Sequence, residues 1–170
     1  MNFAKHLLHT SGYTHAVPTD TWNVVLYQLS ATDAVALLGL LQAHDDAKVD
    51  AHSFTAVMSA LGEADDLQGA FAMLDKMKEA GHEPNSMTYN TLILDSGNAG
   101  ELDYAVQALE EMEEKGLFPL MEVYEMLAAL ADHKGKIELA QKFGERRDAM
   151  RAAKAKAGDD IDEEFGLKRE

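Results

Sequence analysis

The chain has 170 residues, room for one compact domain or a short helical array, and 46% of them are hydrophobic, enough to bury a core. It contains no Cys, which excludes a disulfide framework, a thiolate metal site and a cysteine nucleophile. With 30 acidic and 15 basic residues it carries a formal charge of -15, which disfavours non-specific attraction to phosphate backbones and to anionic membrane surfaces.

Residues Met1 to Thr19 hold no acid, one Lys and three His (His6, His9 and His15). Phe3, Leu7 and Leu8 can line one face of a short helix, but the stretch has no Arg, unlike an organelle presequence. Residues 1–18 therefore read as a solvated or partner-bound arm, with a targeting remnant as the alternative. His6 and His9 are three apart but lack a third metal ligand nearby, so no metal site is assigned. No apolar run approaches about 20 residues, so no membrane-spanning helix is predicted.

From Thr19 onward an internal repeat dominates. Ala51 to Asn85, Ser86 to Leu120 and Met121 to Ala155 are successive 35-residue blocks. Aromatics recur near each start (Phe54, Tyr89, Tyr124), then aliphatics (Val57, Leu92, Leu127; Leu67, Leu102, Ile137) and a small residue (Ala70, Ala105, Ala140). Met77 and Met112, Gly81 and Gly116, and Pro84 and Pro119 match in the first two blocks; the third has Arg147, Arg151 and Lys154 there. A weaker, shorter block from Thr19 to Asp50 has Trp22 in the aromatic place. Between it and the next block, His44, Asp45 and Asp46 read as a polar loop.

Within a block the periodicity predicts two antiparallel helices. Tyr89, Leu92 and Ile93 share one face of the first. Leu102, Ala105, Val106, Leu109 and Met112 share one face of the second, from about Glu101 to Lys115, with Glu110, Glu111, Glu113 and Glu114 opposite. Gly116 ends it and Pro119 blocks its continuation. A lone pair cannot cover its own apolar face, so neighbours must stack. The expected fold is all-α, a right-handed α-solenoid of about four helix-turn-helix repeats over 19–155, with a long last helix from about Lys136 to Gly158 and an acidic tail over 156–170. Asp95, Gly97, Gly100 and Asp103 suggest a calcium loop, but its third, fifth and twelfth places hold Gly97, Ala99 and Val106, so an inter-helix turn is expected. His52, His82 and His133 fall at repeat boundaries and read as surface residues.

Tyr89-Asn90-Thr91-Leu92-Ile93, Ala99-Gly100-Glu101-Leu102, Glu111-Met112-Glu113-Glu114-Lys115-Gly116 and Pro119 resemble the pentatricopeptide repeat. The resemblance implies a single-stranded RNA-binding protein of mitochondria or plastids, one base per repeat. It implies that each base is read by the residue after the repeat's aromatic together with the one after its Pro. Those positions are Asn23 with Asp50, Thr55 with Asn85, Asn90 with Leu120, and Glu125 with Ala155. The first pair resembles a uracil reader and the second an adenine reader; Leu120 and Ala155 offer no hydrogen bond.

Charge argues the other way. Between Met1 and His133 there are 21 acids and 5 bases, and the repeats before Leu120 carry only Lys48, Lys76, Lys78 and Lys115. Lys134 to Lys156 holds 8 bases and 3 acids, and the last fourteen residues 6 acids and 2 bases. Arg146, Arg147, Met150 and Arg151 on the basic helix, with Ile161, Phe165 and Leu167 in the tail, are candidate partner-docking residues. With no nucleophile motif, phosphate loop or cofactor motif, the sequence reads as a non-catalytic scaffold or accessory subunit binding protein subunits of a larger organellar assembly, the mitochondrion slightly favoured. RNA binding is the alternative.

Overall fold

The computed structural model describes residues 18–43 and 48–164, with side chains as far as Lys156. The N-terminal arm before Pro18, His44-Asp45-Asp46, and the docking candidates Phe165, Leu167 and the side chain of Ile161 lie outside the described residues. The described residues form eight helices and no strand: α1 Thr19–Tyr27, α2 Ala31–Gln42, α3 Ala51–Glu63, α4 Leu67–Glu79, α5 Ser86–Asn98, α6 Leu102–Glu114, α7 Met121–His133 and α8 Ile137–Glu164. They pair as four helical hairpins. The chain divides into two compact units, Met1–Phe118 with three hairpins and Pro119–Glu170 with the fourth.

In the first unit the leading helices α1, α3 and α5 pack successively against one another, and α2, α4 and α6 back them. Leu26, Leu37, Leu41, Phe54, Val57, Met77, Tyr89, Leu92 and Met112 fill the interior. Ala70 and Ala105 are fully buried, as their small size at the hairpin contact requires. Trp22 is buried, and its indole Nε1 finds no acceptor among the described residues. His82 is not a free surface residue: it is half-buried, its ring tilted against Phe54 at 5.4 Å between centroids. In the second unit α7 packs on α8: Tyr124, Leu127 and Ala131 of α7 and Phe143 of α8 are buried, with the Tyr124 and Phe143 ring centroids 6.5 Å apart. Ala140 is only partly covered there.

The turns follow the residues present. At the end of α6, Gly116 adopts φ 70° and the Leu117 N–H bonds back to the Met112 carbonyl, which satisfies a carbonyl the helix leaves open. The turns inside the second, third and fourth hairpins use the same left-handed conformation, whereas the first hairpin turns without it. Gly100 and Gly135 supply it in two repeats, but Asp65 holds the place in another, at φ 58°. The last helix does not stop at Gly158; it runs on to Glu164, across the start of the expected tail. One glycine inside a helix costs only about 1 kcal/mol and ends nothing unless it turns left-handed.

One carboxylate sits awkwardly in this packing. Asp95 of α5 lies against Gly62 of α3, where any Cβ would overlap its side chain, and its Oδ2 is buried without a partner. Burial, with Glu63 adding to it, pushes the Asp95 carboxyl up to about 6. The group holds its proton more tightly folded than unfolded, so the stability it contributes is complete below about pH 4 and is lost as pH rises through about 6.

Two outcomes are expected. Asp95→Asn raises the unfolding free energy at pH 7.5 by about 1 kcal/mol after allowance for partial solvent screening, read as a higher urea midpoint, and leaves it nearly unchanged at pH 4. Asp65→Gly relieves the left-handed strain and raises the melting temperature, equivalent to at most about 1 kcal/mol.

Candidate nucleic-acid interface

Six polar residues are buried among the described residues, and five cluster in the N-terminal halves of the leading helices: Asn23, Ser53, Thr55, Thr88 and Asn90. A buried polar side chain needs a partner, and these find theirs chiefly across the contact between successive leading helices. The Asn23 Nδ2 donates to Asp50 Oδ1 at 3.1 Å, and the Ser53 hydroxyl donates to Asn23 Oδ1 at 2.6 Å. Thr55 Oγ1 donates to the Ala51 carbonyl at 2.9 Å and lies 3.0 Å from Thr88 Oγ1.

The partners of these residues are helix caps. Asp50 opens α3 and Asn85 opens α5, each accepting the backbone N–H three residues on, while Ser53 and Thr88 accept the cap's own N–H in return. The structure thus brings together the first predicted pair directly, through the Asn23–Asp50 bond. It joins the second pair through an intermediary, Thr55 to Thr88 to Asn85. Sequence reasoning missed Ser53 and Thr88, although Asp50-x-x-Ser53 and Asn85-x-x-Thr88 are legible as capping boxes.

The two stations offer opposite chemistry. Burial alone raises the Asp50 carboxyl, but bonds from the Ser53 N–H, the Asn23 amide and the Ser53 hydroxyl, with His52 nearby, outweigh it and hold the group below its ordinary value. Asp50 Oδ1 is taken up by those bonds, whereas Oδ2 has only His52 Nδ1 at 3.7 Å. Asn85 Oδ1 serves the cap, and its Nδ2 has no partner among the described residues. The first station therefore keeps an acceptor in reserve and the second a donor. Asn23 and Thr55 are 7% and 1% exposed, so they position Asp50 and Asn85 rather than face solvent themselves.

The remaining predicted positions differ. Asn90 continues the buried series at 6% exposure. Leu120 is half exposed and starts α7 without a side-chain cap. Glu125 accepts a hydrogen bond from Arg151 on α8, and Ala155 is exposed near the end of the described side chains. Of the docking candidates, Arg151 pairs with Glu125, Arg147 with Asp148, and Arg146 lies 6.0 Å from the Tyr124 ring centroid. Met150 is partly exposed.

Two of the four lysines described in the first unit are spent on the protein itself. Lys78 pairs with Glu111 and Asp75, and Lys115 with Glu83. Burial raises the Glu111 carboxyl, but Lys78, the Tyr89 hydroxyl and Lys115 together bring it below its usual value. That knot ties α4, α5 and α6, so two of the few lysines available to a phosphate backbone are engaged.

Comparison with known proteins gives the fold a context. A family model described as the PPR repeat family matches residues 49–95, and another described as PPR repeat matches 80–113. No curated protein matches the sequence. Among solved structures, the PPR domain of Arabidopsis thaliana protein-only RNase P 1 in complex with tRNA is 20% identical, with a TM-score of 0.68 over 97% of this chain and 89% of that one. The pentatricopeptide repeat protein PPR10 from maize is 24% identical, TM-score 0.64, over 83% of this chain and 20% of that one. PPR10 in complex with an 18-nt psaJ RNA element is 22% identical, TM-score 0.62, over 71% and 18%. The chain thus spans about a fifth of the PPR10 chains it matches.

Removing the Asn23 side chain strands Asp50 and Ser53 of a bond each. Asn23→Ala is expected to cost about 1–3 kcal/mol, read as a lower urea midpoint with an unchanged slope.

Proposed function

Because the chain belongs to the pentatricopeptide repeat family, we propose that it is a non-catalytic module that binds a short stretch of single-stranded RNA, in organellar RNA metabolism. The observation that carries this reading is the pair of polar stations on successive hairpins, Asn23 with Asp50 and Thr55 with Asn85 by way of Thr88. An acceptor at Asp50 Oδ2 complements the N3–H of uracil. A donor at Asn85 Nδ2 complements the N1 of adenine. The chemistry left over after capping thus agrees with what the family resemblance implies for those positions. Structural relatives solved with an RNA element and with tRNA support the same reading.

Charge sets its limits. With so few unpaired cations beside the stations, counterion release contributes little, and affinity rests on base contacts. Such a module works best beside a partner that supplies phosphate contacts. This is also what favours the second reading, an accessory subunit making protein contacts through a helical-repeat surface: the -15 charge suits a basic partner better than a polyanion.

Fluorescence anisotropy with a labelled U/A-rich 12-mer near 0.15 M salt separates the two. The RNA reading expects micromolar binding with a log–log salt slope no steeper than about -2. Asn85→Asp keeps the helix cap but replaces the free donor with an acceptor, so preference should shift from adenine to guanine at that station by roughly tenfold. Absence of any binding leaves the accessory-subunit reading in its place.

A further inference from the structure

Resting on the RNA reading above, we propose that the Tyr27 ring is a stacking platform for the nucleobase held at the Asn23–Asp50 station. Tyr27 ends α1, four residues after Asn23, so the two share a helix face one turn apart. Helical side chains lean toward the N-terminus, so a residue at this spacing is directed toward the preceding turn, the one that carries Asn23. Asn23 is itself bonded to Asp50 at 3.1 Å.

The surroundings agree. Partial burial raises the Tyr27 phenol above its ordinary value, and the Asp50 carboxylate adds to the effect, which places that charge within electrostatic reach of the hydroxyl. The ring is neutral across the physiological range and does not repel a phosphate.

Its exposure is unusual for this molecule. Trp22, Phe54, Tyr89, Tyr124 and Phe143 are buried, and Phe71 and Tyr104 lie against each other at 5.1 Å. Tyr27 is 44% exposed, and among the described residues only Phe118, in the loop after α6, is a more open aromatic. An aromatic half in water on a leading helix gains little from packing. A nucleobase has a π-face to offer it whatever its identity. The ring is also a departure from the repeat: Ser59, Leu94 and Ala129 hold the equivalent place in the later blocks. The first repeat, whose pairing with Asp50 is the most direct, is therefore the one with a platform beside it. In a unit short of free cations, stacking replaces part of the affinity that phosphate contacts supply elsewhere.

The test uses the full chain and the same labelled 12-mer. Tyr27→Phe should bind within about twofold of wild type. Tyr27→Leu should weaken binding about tenfold with an unchanged salt slope, because what it removes carries no charge. Tyr27→Trp should keep its affinity, and its emission should be quenched as RNA is added; Trp22, being buried, stays silent. The tryptophan variant also guards against a fold defect specific to the leucine one. Equal affinity of Tyr27→Leu and wild type, or no quenching in Tyr27→Trp, overturns the platform. If wild type binds and Asn85→Asp shifts the base preference while Tyr27→Leu changes nothing, the platform alone falls. If wild type binds no strand, the RNA reading falls and takes the platform with it.

Discussion

A hairpin of two short helices has apolar surface on more sides than its own partner can cover, and that shortfall governs the rest of the molecule. Each hairpin in the first unit is completed by the next, α1 against α3 and α3 against α5. The contact is mixed: Phe54 and Tyr89 fill its interior, while Asn23, Ser53, Thr55 and Thr88 bond across its edge. Apolar burial supplies the attraction without direction, and the polar bonds fix how one hairpin registers on the next. The same residues that set the register hold Asp50 and Asn85 in place. The stations are therefore a by-product of how the repeat stacks, and their spacing is that of the hairpins.

Most of the architecture was legible in advance because the repeat states it several times. Tyr89, Leu92 and Ile93 mark one helix face, and Gly116 with Pro119 marks an end, as the structure has it. What escaped was information that single residues do not carry. Asn23 looked like an outward-facing reader, yet it is buried, because the surface it covers belongs to a helix 27 positions on. Gly158 looked like a stop, but a glycine ends a helix only with the left-handed turn and back-bonding seen at Gly116. His82 looked exposed because the Phe54 ring it meets comes from the other end of the block. The docking candidates Arg151 and Arg147 of the last helix also pair with Glu125 and Asp148 of their own unit.

The acidic character of the chain and the proposed RNA reading pull in different directions, and the ion pairs show where the described lysines are engaged. Lys78 and Lys115 are spent on Glu111 and Glu83, tying the second and third hairpins at the backs of their helices. Charge here stabilises the array instead of reaching outward. In the proposed RNA reading, recognition is left to groups that are individually weak, one acceptor, one donor and one aromatic ring. On that reading the surface would discriminate among bases better than it holds a strand.

Trp22, the chain's single tryptophan, sits in the first hairpin with its side chain buried and its indole Nε1 without an acceptor among the described residues. Its intrinsic emission therefore reports on the Met1–Phe118 unit and is blind to the α7–α8 hairpin, whereas far-ultraviolet circular dichroism weighs all eight helices together. In a chain built of two compact units, denaturation curves from these two signals have no reason to coincide, and the gap between them measures how tightly the halves are coupled.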